Sequence, residues 1–313
     1  MKVLITDDVH PMLIEGLKVR NWEVDYQPNI SLNETRDIIG QYQGLVINSK
    51  IIANAAFLQR AEKLKWIGRL GSGMEIIDVK VATQKGIQLI NTPEANCNAV
   101  AEHALGMILS LFRNLNRSDR ELRTKNWQRE KNRGEELNGK TLGIIGYGHT
   151  GQRFEELLRG FNVKVLVYDK YKQLSNCEGR YSLVKDVNEI RESADLISLH
   201  LPLSSETKYL IDKNFISGCR NSFYLINTSR GQIVNTLDLL EALRSGKIKG
   251  ACLDVFENEK PSSFSDSEKI MYDELYSMEQ VLLSPHIAGW THQSKQKIAE
   301  IMLKKLDKIS GSI

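Results

Sequence analysis

Long apolar runs are missing from this chain of 313 residues: no stretch of about eighteen uninterrupted apolar residues occurs, and the opening MKVLITDD enters a strand-like segment without the apolar core of a secretion signal. A membrane span is therefore not expected, and a cytoplasmic location is. Cysteine is also scarce. Cys97, Cys177, Cys219 and Cys252 have no metal-ligand spacing, so reduced, partly buried thiols are expected and no metal site. Charge of one sign is lacking too: 42 Lys and Arg against 39 Asp and Glu leave a formal charge of +3. The basic residues are spread rather than striped, which argues against a nucleic-acid partner and leaves only a mild pull on anions. Low-complexity tracts and internal repeats are absent, and a chain that is 41% hydrophobic and 26% charged is expected to fold.

The length suits two domains of about 100 to 200 residues each. Through the first ninety or so residues the short apolar runs KVLIT, WEVDY, GLVIN, LKWIG and GIQLI alternate with helix-like segments, the pattern of a parallel sheet covered by helices. From Asn98 to about Thr124 a long helix is expected, with Val100, Ala104, Leu105, Met107, Ile108, Leu111 and Phe112 apolar over more than one face at its start. That pattern fits a helix buried between domains or subunits and an ordinary core helix equally. After the turn at Asn138 to Lys140, strands resume at TLGII, VKVLVY, DLISL, SFYLIN, IKGACLDV and QVLLS, which predicts a second, larger doubly wound domain. Residues 259–278, polar and serine-rich around KPSSFSDSEK, read as an exposed loop. The last segment, Thr291 to Ile309, has helical apolar spacing and is expected to return to the first domain. That would make the first domain discontinuous, with crossings near Asn98 and Trp290 and a ligand cleft between the domains.

The most informative run is GYGHTG, Gly146 to Gly151, preceded by an apolar strand and followed by VLVYD ending in Asp169. Gly146 permits a tight turn out of the strand, Gly148 lets the backbone approach a pyrophosphate, and Gly151 lets the next helix pack on the sheet. Helix N-terminal amides then face the phosphates. Asp169 can accept from both ribose hydroxyls but would repel a 2'-phosphate, so NAD is the expected cofactor rather than NADP. A glycine pattern alone is weak; here strand, glycines, helix, strand and acid come in order.

Three further motifs follow predicted strands, where open α/β sheets bind ligands. In LINTSRG, the Arg230 guanidinium can hold a carboxylate bidentately and polarise an adjacent carbonyl. CLDVFENE places Asp254 at a strand end with Glu259 shortly after, and LLSPHIAGW places His286 after another strand. A histidine with a carboxylate partner is a general acid or base whose pKa is tuned upward.

Taken together, RLGSG (Arg69 to Gly73), NTPEANCNAVAEHALGMIL from Asn91, ELNGKTLGIIGYGHTG, LINTSRG, ACLDVFENE and SPHIAG resemble the signatures of the D-isomer-specific 2-hydroxyacid dehydrogenase family over essentially the full chain. The resemblance implies a Rossmann-type NAD domain, residues 99–289, inserted in a flavodoxin-like substrate or lid domain, residues 1–98 with 290–313. It also implies a small anionic 2-hydroxy or 2-keto acid substrate and a homodimer joined through the cofactor domains. Carried over onto this sequence, Arg230 would bind the substrate, His286 would pass the proton and Glu259 would keep His286 protonated. The backbone amides of Ser72 and Gly73 would hold the substrate carboxylate. His149 and Thr150 match positions on the pyrophosphate, Thr228 and Ser229 line the nicotinamide, and Asp254 matches the acceptor for its carboxamide.

Two departures bear on the substrate. Glu259 beside His286 argues against the formate dehydrogenase branch, which has Gln in that role. The phosphoglycerate dehydrogenase pattern is the most similar, yet that branch commonly has Arg where this chain has Asn48, and only Lys50 offers a cation nearby. D-3-phosphoglycerate, hydroxypyruvate, glyoxylate and bulkier 2-keto acids all remain open. So does a reading of another class, an NAD(H)-sensing binding protein similar to the family's corepressors. No regulatory domain is expected after Ile313. Trp290 either shapes the pocket or packs at the hinge.

Overall fold

The computed structural model describes residues 1–172 and 181–309; Cys177 lies outside the described residues. The chain divides into two units, Met1–Asn96 with Trp290–Ile313, and Cys97–Gly289.

The first unit carries β1 (Lys2–Ile5), β2 (Glu23–Tyr26), β3 (Gly44–Ile47), β4 (Trp66–Arg69) and β5 (Gln88–Ile90). They form one parallel sheet in the order β2-β1-β3-β4-β5, the flavodoxin order. Successive strand side chains point to opposite faces, so this sheet has two cores. Leu4, Leu45, Ile47 and Ile67 pack with Phe57 on one side. Val3, Ile5, Val46 and Trp66 pack with Leu13, Leu17, Met302 and Leu306 on the other. The last helix, His292–Ile309, thus completes the second of these cores, and Arg20, at the end of the helix Pro11–Val19, bonds its Asp307 at 2.6 Å.

The second unit carries β6 (Thr141–Ile145), β7 (Lys164–Tyr168), β8 (Ser182–Leu183), β9 (Leu196–Leu199), β10 (Phe223–Asn227), β11 (Ile248–Leu253) and β12 (Val281–Leu283). Its parallel sheet runs β12-β11-β10-β9-β6-β7-β8, the Rossmann order with one strand added at the edge. The strand order reverses at β6 beside β9, so the crevice at the carboxyl ends of these strands is where a ligand belongs.

Three local features differ from expectation. The helix expected from Asn98 to Thr124 is two helices, Cys97–Phe112 and Leu115–Arg123, broken at Asn114 with φ +52°, a left-handed conformation that Asn tolerates better than most residues. The first is a core helix of its own unit, burying Ala101, Ala104, Met107, Ile108 and Phe112, whereas the second buries no residue. The stretch 259–278 is not simply a loop. Asp266–Ser277 is a helix started by a reciprocal capping box between Ser265 and Glu268, with Tyr272 and Leu275 buried beneath it. The short edge strand β8 was not expected. Among the described residues no helix is long and apolar enough to cross a membrane.

Candidate active site

β6 leaves the sheet at Gly146, whose φ of +93° only glycine adopts readily. A Cβ there would sit 2.3 Å from the His200 carbonyl oxygen, and one at Gly151 would sit 2.2 Å from that of Gly146. The chain's own packing therefore demands both glycines. Gly148 differs: its φ of −73° is ordinary and a Cβ would meet nothing within 4 Å. Space is open beside it, at the N-terminus of the helix His149–Leu158, and no side chain caps that helix. First-turn amides that lack a cap, with the helix dipole behind them, suit an anion, so the loop fits a pyrophosphate. His149 is exposed and Thr150 half-buried at the start of this helix. A second sign of fit lies after β10, where the buried Thr228 hydroxyl has no partner. The neighbouring Ser229 hydroxyl already donates to Asn227 Oδ1 at 2.9 Å.

Asp169, just past β7, is fixed on the glycine loop. Its Oδ2 accepts from the Tyr147 amide at 2.7 Å, and its Oδ1 from the amides of Tyr171 and Lys172 at 3.0 and 2.9 Å. Burial pushes this carboxyl up, but the three amides and the Lys172 charge outweigh it and hold it below the usual carboxylate range. An ionised acceptor at this point matches a ribose diol. Lys172, whose ammonium donates to the Tyr147 carbonyl at 2.8 Å, was not singled out from the sequence. Its signal was its place in the run DKYK directly after the strand.

His286 and Glu259 meet: Nδ1 lies 2.8 Å from Oε2, with the two side chains 49% and 39% exposed, open enough to meet a substrate. Glu259 raises the imidazole above its ordinary value by accepting that hydrogen bond; burial and the Arg230 charge oppose the shift without cancelling it. Burial raises Glu259, but the bond to His286 and the positive charges of His286 and Arg230 bring it below its usual range. With Nδ1 committed, Nε2 is the nitrogen left to exchange a proton. Arg230, at the end of β10, donates from Nη1 to the Ser229 carbonyl at 2.7 Å. Gly231 follows, and a Cβ there would sit 2.0 Å from the Phe256 carbonyl, so only glycine lets the Arg230 turn touch the segment leading to Glu259.

Asp254 faces inward. Fully buried, it accepts from Ser284 Oγ at 2.5 Å and the Ile287 amide at 2.9 Å through Oδ1, and from the Ala288 amide at 2.9 Å through Oδ2. Its own carbonyl accepts from the His286 amide at 2.8 Å. The carboxylate matched to the carboxamide thus holds the histidine loop, and nothing in the sequence distinguished these two duties.

In the first unit, Ser72 and Gly73 follow β4 and Gly71, whose φ is +145°, and Asn91 Nδ2 donates to the Ser72 carbonyl at 2.9 Å. The Lys50 ammonium donates to the Pro28 carbonyl at 2.5 Å. The Asn48 amide donates to Asp7 Oδ2 at 2.9 Å.

A glycine cradle at the switch point of a Rossmann sheet, with a histidine–glutamate pair and an arginine in the loops after neighbouring strands, defines a site of the class that binds a nucleotide beside a proton-exchanging dyad. The model of the D-isomer specific 2-hydroxyacid dehydrogenase NAD binding domain matches residues 105–288, and the chain belongs to that family. It is 33% identical to D-3-phosphoglycerate dehydrogenase of Methanocaldococcus jannaschii over 99% of this chain and 57% of that protein. It thus spans a little over half the length of the phosphoglycerate dehydrogenases it matches. Hydroxypyruvate reductase of Thermotoga maritima is 32% identical over 90% of each chain. Among solved structures, D-lactate dehydrogenase of Aquifex aeolicus, complexed with NAD and lactic acid, matches with a TM-score of 0.86 and 28% identity, covering 100% of this chain and 96% of that one.

Proposed function

We propose that this protein is an NAD-dependent D-2-hydroxyacid dehydrogenase that interconverts a 2-hydroxy acid and its 2-keto acid. The observation that carries this reading is the Glu259–His286 pair beside Arg230, at strand ends of the unit matched by the family's NAD-binding domain. Bound NADH supplies the hydride. Arg230 holds the substrate carboxylate and polarises the adjacent carbonyl, while His286 gives its Nε2 proton to the carbonyl oxygen. Glu259 keeps that imidazole charged until the proton leaves. In oxidation the neutral His286 takes the hydroxyl proton instead. Gly146, Gly148, His149, Thr150 and Gly151 are assigned to the pyrophosphate, Asp169 to the ribose, and Thr228, Ser229 and Asp254 to the nicotinamide end. Ser72 and Gly73 remain assigned to the substrate carboxylate by resemblance.

An unphosphorylated acid such as hydroxypyruvate or glyoxylate is favoured. Asn48 carries no charge, and Lys50 is committed to the Pro28 carbonyl, so neither offers a ready phosphate clamp. The phosphoglycerate dehydrogenases among the relatives support 3-phosphohydroxypyruvate as the second reading. We also propose a homodimer formed through the second unit. The helix Leu115–Arg123 buries none of its residues, and Leu115, Leu122 and the nearby Trp127 are 53%, 55% and 80% exposed.

Arg230→Ala tests the role assignment. Turnover of the keto acid is expected to collapse at least about a thousandfold while NADH affinity, measured by fluorescence titration, stays within about twofold. Equal loss of both would overturn it.

A further inference from the structure

Helix Cys97–Phe112 turns mostly small and aliphatic residues inward, but it also sends one imidazole toward the catalytic loop. His103 Nε2 lies 2.9 Å from Ser284 Oγ, and Ser284 Oγ lies 2.5 Å from Asp254 Oδ1. A carboxylate only accepts, so the single Ser284 proton goes to Asp254 and the Ser284 oxygen must accept from His103, whose Nε2 therefore carries hydrogen. Met107 Sδ, one turn along the same helix, sits 3.8 Å from Ser284 Oγ, a much weaker acceptor than the carboxylate. The direction of the chain is thus fixed, from His103 through Ser284 to Asp254.

Asp254 is where the catalytic loop is fastened. Ser284, Ile287 and Ala288 all donate to its carboxylate, and the His286 amide donates to its carbonyl. Between these bonds His286 holds φ +55°, a left-handed backbone that is unfavourable for a non-glycine residue and persists only when its surroundings over-determine it. A polar imidazole on a core helix also costs desolvation that a leucine would avoid, and its hydrogen bond to Ser284 offsets that cost.

We propose that His103 is a positioning residue of the active site, which orients Ser284 and Asp254 and thereby holds His286 in register with Glu259. His103 touches neither substrate nor cofactor in this scheme, and the proposal rests on the dehydrogenase reading above only for its kinetic consequence. Glutamine can replace the Nε2 donor, whereas leucine fills the space without donating.

The test compares His103→Leu and His103→Gln in protein carrying 13C-labelled histidine, with the His286 signal assigned through its loss in His286→Gln. In His103→Leu the His286 titration midpoint is expected to fall toward the ordinary imidazole value as the Glu259 bond loosens. Keto-acid kcat should drop about tenfold, since misplacement of a catalytic group acts on the transition state, with the NADH dissociation constant changed less than about twofold. His103→Gln should recover most of both. An unchanged His286 midpoint in His103→Leu would overturn the proposal, and so would a His103→Gln protein that melts like the unsubstituted one but is as impaired as the leucine variant. If the unsubstituted protein reduces no keto acid, the dehydrogenase reading fails while the His286 titration still decides the positioning role.

Discussion

At the scale of single residues, His286 and Glu259 displace one another in opposite directions, which fixes the sign of a pH dependence. The imidazole is raised, so its proton persists above the ordinary value of 6.5 and is lost only as pH climbs through the higher folded value. Reduction should therefore hold its rate through neutrality and fall above that point, while oxidation rises across the same interval. Glu259→Gln removes the largest cause of the shift and leaves only the Asp254 charge favouring the imidazolium, against burial and the Arg230 charge, which oppose it. The falling limb of kcat/KM for reduction should then move to more acid pH; a limb that stays in place would show that another group holds the proton. His200 does not confuse the profile, because burial pushes it down to about 4. Arg230 and His286 were legible in the sequence because they closely follow strands, and Glu259 because it is an acid in the loop after another. The inward turn of Asp254 was not, since most of its partners are backbone amides and every residue type but proline carries one.

At the scale of elements, the strands were legible because parallel strands buried on both faces read as short apolar runs. The helix Asp266–Ser277 was missed because only Tyr272 and Leu275 in it are buried, too few to show a period; its readable mark was the Ser265–Glu268 capping box. The break at Asn114 carried no warning, since the apolar pattern runs past it to Leu115. The glycine loop yields a prediction that separates packing from binding. Gly151→Ala drives a Cβ against the Gly146 carbonyl and should cost about 1–3 kcal/mol of stability, seen as a lower Tm of the unliganded protein. Gly148→Leu enters open space, so its unliganded Tm should match that of the unsubstituted protein while its NADH dissociation constant rises at least about tenfold. Undiminished NADH binding by Gly148→Leu would place the pyrophosphate elsewhere.

At the scale of the whole molecule, two parallel sheets have two different strand orders, and the chain passes from the first unit to the second and back. Alternating strands and helices made the two sheets legible, but the sequence held no direct sign of which strands would be neighbours. The exposed Trp127 bears on assembly. If it anchors a dimer, Trp127→Glu should weaken self-association by about 30- to 1000-fold, the effect of losing an interface anchor worth roughly 2–4 kcal/mol. Sedimentation velocity would read this as a shift to monomer, and an unchanged sedimentation coefficient would place the contact elsewhere. Whether the protein turns over a 2-keto acid is decided by NADH absorbance during parallel challenge with 3-phosphohydroxypyruvate, hydroxypyruvate, glyoxylate, pyruvate and phenylpyruvate. The dehydrogenase reading, with Asn48 uncharged and Lys50 committed to Pro28, predicts turnover with preference for an unphosphorylated acid. Preference for the phosphorylated acid would contradict the substrate assignment, and silence on all five despite NADH binding would contradict the enzyme and favour a protein that senses the cofactor.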